Sequence, residues 1–329
     1  MIEIMVLVVA FFLAWNVGAN NTANCIGVSV GGGVLGYRRA ILIVIVFVIV
    51  GAVLEGWRNM RTVGEGIILP TSSGVNPFFL FPRAALASLI AAAAWMFATT
   101  FFGFPMSVSL SMVSAVVGAG LALNFIHPDL IFGLHSSRIW AIIISWALNP
   151  VFSALLSFFI YQIVTASLRR IKNLLLFNSV LKALVLVASA YSAYVLGAND
   201  VGASLGVVYA FFGGSPQLIA LFGSLALAVG TLTFSRRVMT TVGSGIAKIG
   251  PTTALAAQLG AALTVWSFVQ FGMPVSTSEA IVGGVAGAGL FKGTTAVSRQ
   301  RLGKIVLTLV ITPAAVGLLS FVVVLVLGI

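Results

Sequence analysis

A chain of 329 residues with 60% hydrophobic and 7% charged side chains, and a mean hydropathy of +1.17, is too apolar for a soluble domain, where roughly a quarter of residues carry charge. Its net charge of +11 sits in short basic clusters between apolar runs, the pattern of membrane loops facing anionic headgroups rather than a nucleic-acid partner. One cysteine, Cys25, leaves no internal disulfide to form.

Apolar windows of 18 or more residues recur along the chain, and they are continuous rather than alternating. They predict an all-α polytopic membrane protein and exclude a β-barrel. The first segment, 2–36, carries Glu3 where a signal peptide would be basic, so it belongs to the fold. It exceeds the roughly 20 residues a crossing needs, and a break is expected at Gly18-Ala19-Asn20-Asn21-Thr22-Ala23-Asn24. A break frees backbone groups that lipid cannot satisfy. The Asn and Thr side chains there can satisfy them, or coordinate a small cation.

A second span, 40–56, precedes a polar stretch, Thr62-Val63-Gly64-Glu65-Gly66-Ile67, and a loop from Thr71 to Pro82. A helical pair, 84–123, breaks at Phe102-Gly103-Phe104-Pro105, and a span at 139–165 closes the half. His127 and His135 fall in the loop before that span and read as solvated.

The remainder repeats this order. Gly18 recurs as Gly197 at an offset of 179, and Thr62–Ile67 as Thr241–Ile246 at the same offset. Pro105-Met106-Ser107-Val108-Ser109 recurs as Pro274-Val275-Ser276-Thr277-Ser278 at 169, and Gly118–Leu121 as Gly287–Leu290. Arg138…Pro150 recurs as Arg301…Pro313 at 163. The segments are 173–213, 217–235, a pair at 252–291 broken at Phe271-Gly272-Met273-Pro274, and 305–328. The chain therefore divides into homologous repeats, 1–168 and 169–329, within one membrane domain.

About five segments per repeat is an odd number, so the second should insert upside down. That makes two inverted-topology repeats with interrupted helices and helical hairpins. Arg38/Arg39, Arg169/Arg170/Lys172, Arg236/Arg237 and Lys292/Arg299/Arg301/Lys304 then share one side. The other side holds Glu3, Arg58/Arg61, Arg83, Asp129 and Arg138. The more basic side is cytoplasmic, which places both termini outside a cytoplasmic (inner) membrane. Inverted repeats with interrupted helices in corresponding positions point to a secondary transporter.

Asp200 follows an apolar run, in Gly197-Ala198-Asn199-Asp200. A carboxylate at the bilayer centre costs about 2.5–3.5 kcal/mol on insertion scales and is functional by default. Ser107/Ser109 and Ser276/Thr277/Ser278 follow prolines and open small-residue helices, ends that favour anions. Glu279 sits in the first turn of the second such helix, opposite Leu110 in the first half, and either complements the dipole or couples a proton. Gly31-Gly32-Gly33 reads as close helix packing. No catalytic constellation and no transition-metal ligand set stands out, so the chain is not read as an enzyme.

At these residues the sequence resembles the inorganic phosphate transporter (PiT) family, with its Gly-Ala-Asn-Asp-x-Ala-Asn and Pro-Val-Ser-Thr-Thr-His motifs in each half. Gly197–Val201 and Pro274–Ser278 match, and Thr241-Val242-Gly243 with Lys248-Ile249 resembles a third motif. The resemblance implies a symporter, coupled to Na⁺ or H⁺, that imports phosphate without a cofactor. It implies anion binding by Ser107, Ser109, Ser276, Thr277, Ser278, Asn199, Asp200 and Asn20. Asp200, Asn21, Asn24, Asn20 and Glu279 would bind or couple the cation. Further partners are membrane lipids and a second copy in a homodimer. Asn21, Ala203 and Glu279 depart from the family's Asp, Asn and His. Losing an aspartate at Asn21 favours sulfate, and Ser276–Glu279 resembles the family's short sulfate-permease branch. Asp200 still offers an acceptor to protonated phosphate. A third reading, an anion-selective channel, gives a site carboxylate no purpose.

Overall fold

A computed structural model describes residues 1–31, 35–70, 74–101, 106–128, 133–246, 250–290 and 299–328. Gly32, Gly33, Phe102–Pro105, Asp129, Lys248, Ile249 and Lys292 lie outside them. For Val28, Gly31, 237–246 and 299–306 only the backbone is described, which covers Arg237, Arg299, Arg301 and Lys304.

The first half contains α1 (Ile2–Gly31), α2 (Tyr37–Glu55), α3 (Trp57–Glu65), a short α4 (Pro77–Leu80), α5 (Pro82–Phe101), α6 (Val108–Ile126) and α7 (Ser136–Leu168). The second begins with α8 (Leu174–Leu196), a π-helical turn (Gly197–Val201) and α9 (Gly202–Phe212). It continues with α10 (Pro216–Ile246), α11 (Pro251–Gln270), α12 (Thr277–Leu290) and α13 (Arg299–Val326). Among the described residues, nine helices are long and apolar enough to cross a membrane. The tenth expected segment is α12, whose 14 residues reach only about 21 Å at 1.5 Å per residue.

Two expectations change. The first segment does not break at Gly18–Asn24; α1 is one helix of 30 residues. Its amides bond to other helices, so no backbone group has to be freed to use them. Only the second half interrupts, and by a widened turn rather than a gap, at the very residues that carry Asp200. Such π-bulges concentrate at functional positions. His127 is not a solvated loop residue: it caps α6 and packs on Phe81, ring centroids 5.0 Å apart.

Glycines set which helices touch. A Cβ on Gly18 would lie 2.0 Å from the Leu227 carbonyl oxygen of α10, and one on Gly230 2.0 Å from that of Trp15. The same contacts recur one offset away. A Cβ on Gly197 would meet Val48 O at 2.1 Å, and one on Gly51 would meet Tyr194 O at 1.9 Å. Thus α1 packs on α10, and α8 with its π turn packs on α2. Each half lends its opening helix to the other half's second helix. The interhelical contacts are made by small residues that admit backbone approach, as membrane helix packing requires.

The hairpins α5–α6 and α11–α12 point polar ends into this assembly. Ser107 caps α6 by accepting from Leu110 N at 3.2 Å, and Ser276 caps α12 by accepting from Glu279 N at 3.2 Å. The α12 end is moored by α7. Trp146 Nε1 donates to Pro274 O at 2.9 Å, Asn149 Nδ2 to Ser276 O at 2.8 Å, and Ser153 Oγ to Ala280 O at 2.5 Å.

Candidate functional site

Asp200 is 1% exposed and sits where the π turn, α1 and the α12 hairpin end converge. Asn21 of α1 donates its Nδ2 to Asp200 Oδ2 at 2.7 Å, and Thr277 donates its hydroxyl to the same oxygen at 3.3 Å. Asn199 donates to Oδ1 at 2.6 Å. These three neutral donors replace part of the hydration an ionised carboxylate loses on burial. Among the described residues no cation-bearing side chain pairs with Asp200; the one ion pair there is Arg58–Glu55, at 3.8 Å.

Asn199 is the junction between the two hairpins. Its Nδ2 also donates to Val275 O at 2.7 Å and approaches Ser109 Oγ at 3.5 Å. Its Oδ1 accepts from Val275 N at 3.2 Å and from Asn59 Nδ2 at 3.1 Å. Ser109 Oγ donates to the same Val275 O at 2.9 Å. The tips of the two hairpins are therefore joined directly, Ser109 to Val275, and through the Asn199 amide.

Around this centre, Asn24 Nδ2 donates to Ser278 Oγ at 2.9 Å, tying α1 to the first turn of α12. Asn20 turns to α5, donating to Thr100 Oγ1 at 2.9 Å. The structure brings Asn21, Asn199, Asp200, Ser109 and Thr277 into one cluster, with Asn24 and Ser278 beside it. Ser107 and Ser276 serve as caps. Glu279 is 4% exposed, and neither carboxylate oxygen has a hydrogen-bond partner among the described residues.

Oxygen donors suited to a hard cation are present. Asn21 Oδ1 and Asn59 Oδ1 are buried and have no hydrogen-bond partner among the described residues, within the network that holds Asp200. A cavity of about 30 Å³ adjoins the cluster, lined by Asn24, Cys25, Gln258 and Thr277 among others. That space holds at least one water molecule or an ion of similar size.

The profile of the phosphate transporter family matches residues 17–181 and 176–320. The chain belongs to that family. It is a permease-type membrane protein and not an enzyme. Among its relatives, a protein of Methanocaldococcus jannaschii named "Putative phosphate permease" is 29% identical, covering 96% of this chain and 95% of that one. One of the same description from Pyrococcus abyssi is 25% identical over 96% of each. A solved structure, "The sodium-dependent phosphate transporter", superposes with a TM-score of 0.86 at 25% identity, covering 99% of this chain and 98% of that one.

Within this family member the sequence reading missed several site residues. Asn59 bonds both the side chain and the carbonyl of Asn199. Gln258 donates to the Cys25 carbonyl and, at 3.4 Å, to Ser189 Oγ. Thr231 of α10 bonds hydroxyl to hydroxyl at 2.8 Å with Thr22, which the sequence did single out. A lone amide in an alanine-rich span, as at Gln258, was the available signal. Asn149 carried the same signal in α7, whereas Trp146 and Ser153, bonded to backbone carbonyls, had none.

Proposed function

We propose that this chain imports inorganic phosphate across the cytoplasmic membrane as a symporter driven by a cation gradient, with Na⁺ the coupling ion. The observation that carries this reading is the buried Asp200. It is held by Asn21 of one half and Thr277 of the α11–α12 hairpin of the other, beside buried oxygens with no hydrogen-bond partner among the described residues. A cation bound there neutralises the carboxylate and stabilises the closed cluster. Opening the Asn199–Val275 junction separates the hairpin tips and exposes the hydroxyls of Ser107, Ser109, Ser276, Thr277 and Ser278 to the anion. Asn20, Asn199 and Asp200 complete the anion's shell, and Asp200 accepts the hydrogen bond that protonated phosphate donates. Asn21, Asn24, Asn20 and Glu279 serve the cation.

The two halves, 1–168 and 169–329, are in this reading inverted repeats. The reciprocal glycine–carbonyl contacts at one offset support it, because contacts that exchange in this way are what a pseudo-twofold axis produces. The basic clusters face the cytoplasm and the termini lie outside.

Uptake of labelled phosphate and labelled sulfate into proteoliposomes, with Na⁺ and pH gradients imposed separately, tests the proposal. Phosphate accumulation that requires an inward Na⁺ gradient is expected. Gradient-independent flux would mean a channel. Preference for sulfate would mean that Asn21, committed to Asp200 as a donor, has changed the substrate.

A further inference from the structure

A second cavity, about 250 Å³, lies far along the chain from the Asp200 cluster, where the C-terminus of α7 meets the N-termini of α8 and α11. Its walls are Tyr161, Leu168 and Phe177, and its polar lining is Thr165, Arg169 and Thr252. Leu168 and Phe177 belong to a hydrophobic cluster with Leu181, Val185 and Leu255, so the floor is packed and dry. The rim is different. Arg169, Arg170 and Lys172 fill the short connection between α7 and α8, and no acidic partner neutralises them among the described residues.

Three features make the polar side of this cavity anion-seeking. Arg169 is exposed at its edge and carries a full charge in a planar, bidentate donor. Thr165 lines the cavity, is half-buried, and its hydroxyl has no hydrogen-bond partner among the described residues. Helix α11 begins at Pro251 with Gly250 before it and no side-chain cap, so its first-turn donors are unclaimed by any capping side chain. The apolar walls exclude a purely aqueous ligand as the best fit. Leu174, Leu175 and Leu176, on the turn that also carries Phe177, are exposed and suit acyl chains.

We propose that this cavity binds the phosphoryl group of an anionic phospholipid, its acyl chains lying against the opening turn of α8. Basic pockets between membrane helices at the cytoplasmic side take such headgroups. Free phosphate presents the same oxygens, and the lipid is favoured by the apolar walls and by the position at a helix-end level.

Native mass spectrometry of the delipidated full chain with phosphatidylglycerol, with diacylglycerol of the same acyl chains, and with added ammonium phosphate separates the sources. One phosphatidylglycerol is retained by the wild type and diacylglycerol is not. Arg169→Gln weakens retention about fivefold, the worth of one basic residue near a membrane surface. Thr165→Val weakens it less, and Arg39→Gln, in a basic cluster on the same side but outside the cavity lining, leaves it unchanged. Equal retention of diacylglycerol, or an equal loss in Arg39→Gln, overturns the site. Displacement of the lipid by millimolar phosphate in the wild type overturns the lipid as its occupant and assigns the cavity to free phosphate.

Discussion

Asn21 and Asp200 stand at matching positions of the two halves and bond to each other at 2.7 Å. Two carboxylates at that separation could not both ionise without a cation between them, whereas an amide donor and a carboxylate attract. With asparagine rather than aspartate at position 21, the pair carries at most one negative charge. Asp200→Asn keeps an acceptor for Asn21 Nδ2 but turns its own NH2 toward Asn199 Nδ2, so the protein is expected to fold with a modestly lowered melting temperature while gradient-driven phosphate uptake falls to background. Wild-type-like uptake in that variant would falsify the role given to Asp200. Glu279→Gln removes a buried, unpartnered carboxylate at constant volume. We expect equal or higher stability and reduced accumulation against a gradient, with phosphate exchange at zero gradient retained; unchanged accumulation would restrict Glu279 to a structural part. Asn199→Ala leaves Val275 N–H and an oxygen of Asp200 without their partner. The expected cost is about 1–3 kcal/mol, read as a lowered thermal midpoint together with lost uptake.

At the scale of elements, the segments and hairpins were legible because length and apolarity fix them, and the breaks at Pro-Met-Ser and Pro-Val-Ser carry their own start signals. The continuity of α1 was not. A run of Asn, Asn, Thr and Asn reads the same whether it ends a helix or lines one face, and the choice was made by Thr100, Asp200, Thr231 and Ser278, which are distant in sequence. The cluster itself was half legible. Its residue types stood out in an apolar chain, but the pairing of Asn199 with Val275 and Asn59 depends on backbone groups that no motif names. Helix contacts can be tested through the glycines. Gly197→Ala places a Cβ 2.1 Å from Val48 O and must push α8 from α2, at a cost of about 1–3 kcal/mol. Gly317→Ala, inside α13 with only Ser114 O near the added Cβ at 3.4 Å, is the matched control and should be neutral or slightly stabilising. A equal shift in both thermal midpoints would show that the close approach is not what holds these helices together.

At the scale of the molecule, two hairpins meet tip to tip and through one amide, and each half's first helix rests on the other's second. Neither half owns a complete site: Asp200 and Thr277 come from one, Asn21 and Ser109 from the other. Cutting the chain between Leu168 and Arg169 and producing both pieces together should restore phosphate uptake. Either piece alone should be degraded or inactive. Uptake by one piece would show that a half is self-sufficient.

That exchange of helices also dictates an order of assembly. The glycine face of α1 fits α10, yet α10 is synthesised about two hundred residues later, some ten to forty seconds at ordinary ribosome speeds. Throughout that interval Thr22 and Asn24 sit in the bilayer without their final partners, and Asn21 does so until Asp200 is made, a burden that lipid tolerates poorly. The nascent first half is therefore the vulnerable species in the life of this protein. Slow translation ahead of α10, or loss of whatever insertase shelters α1, will tell on its abundance before any change in the mature fold does.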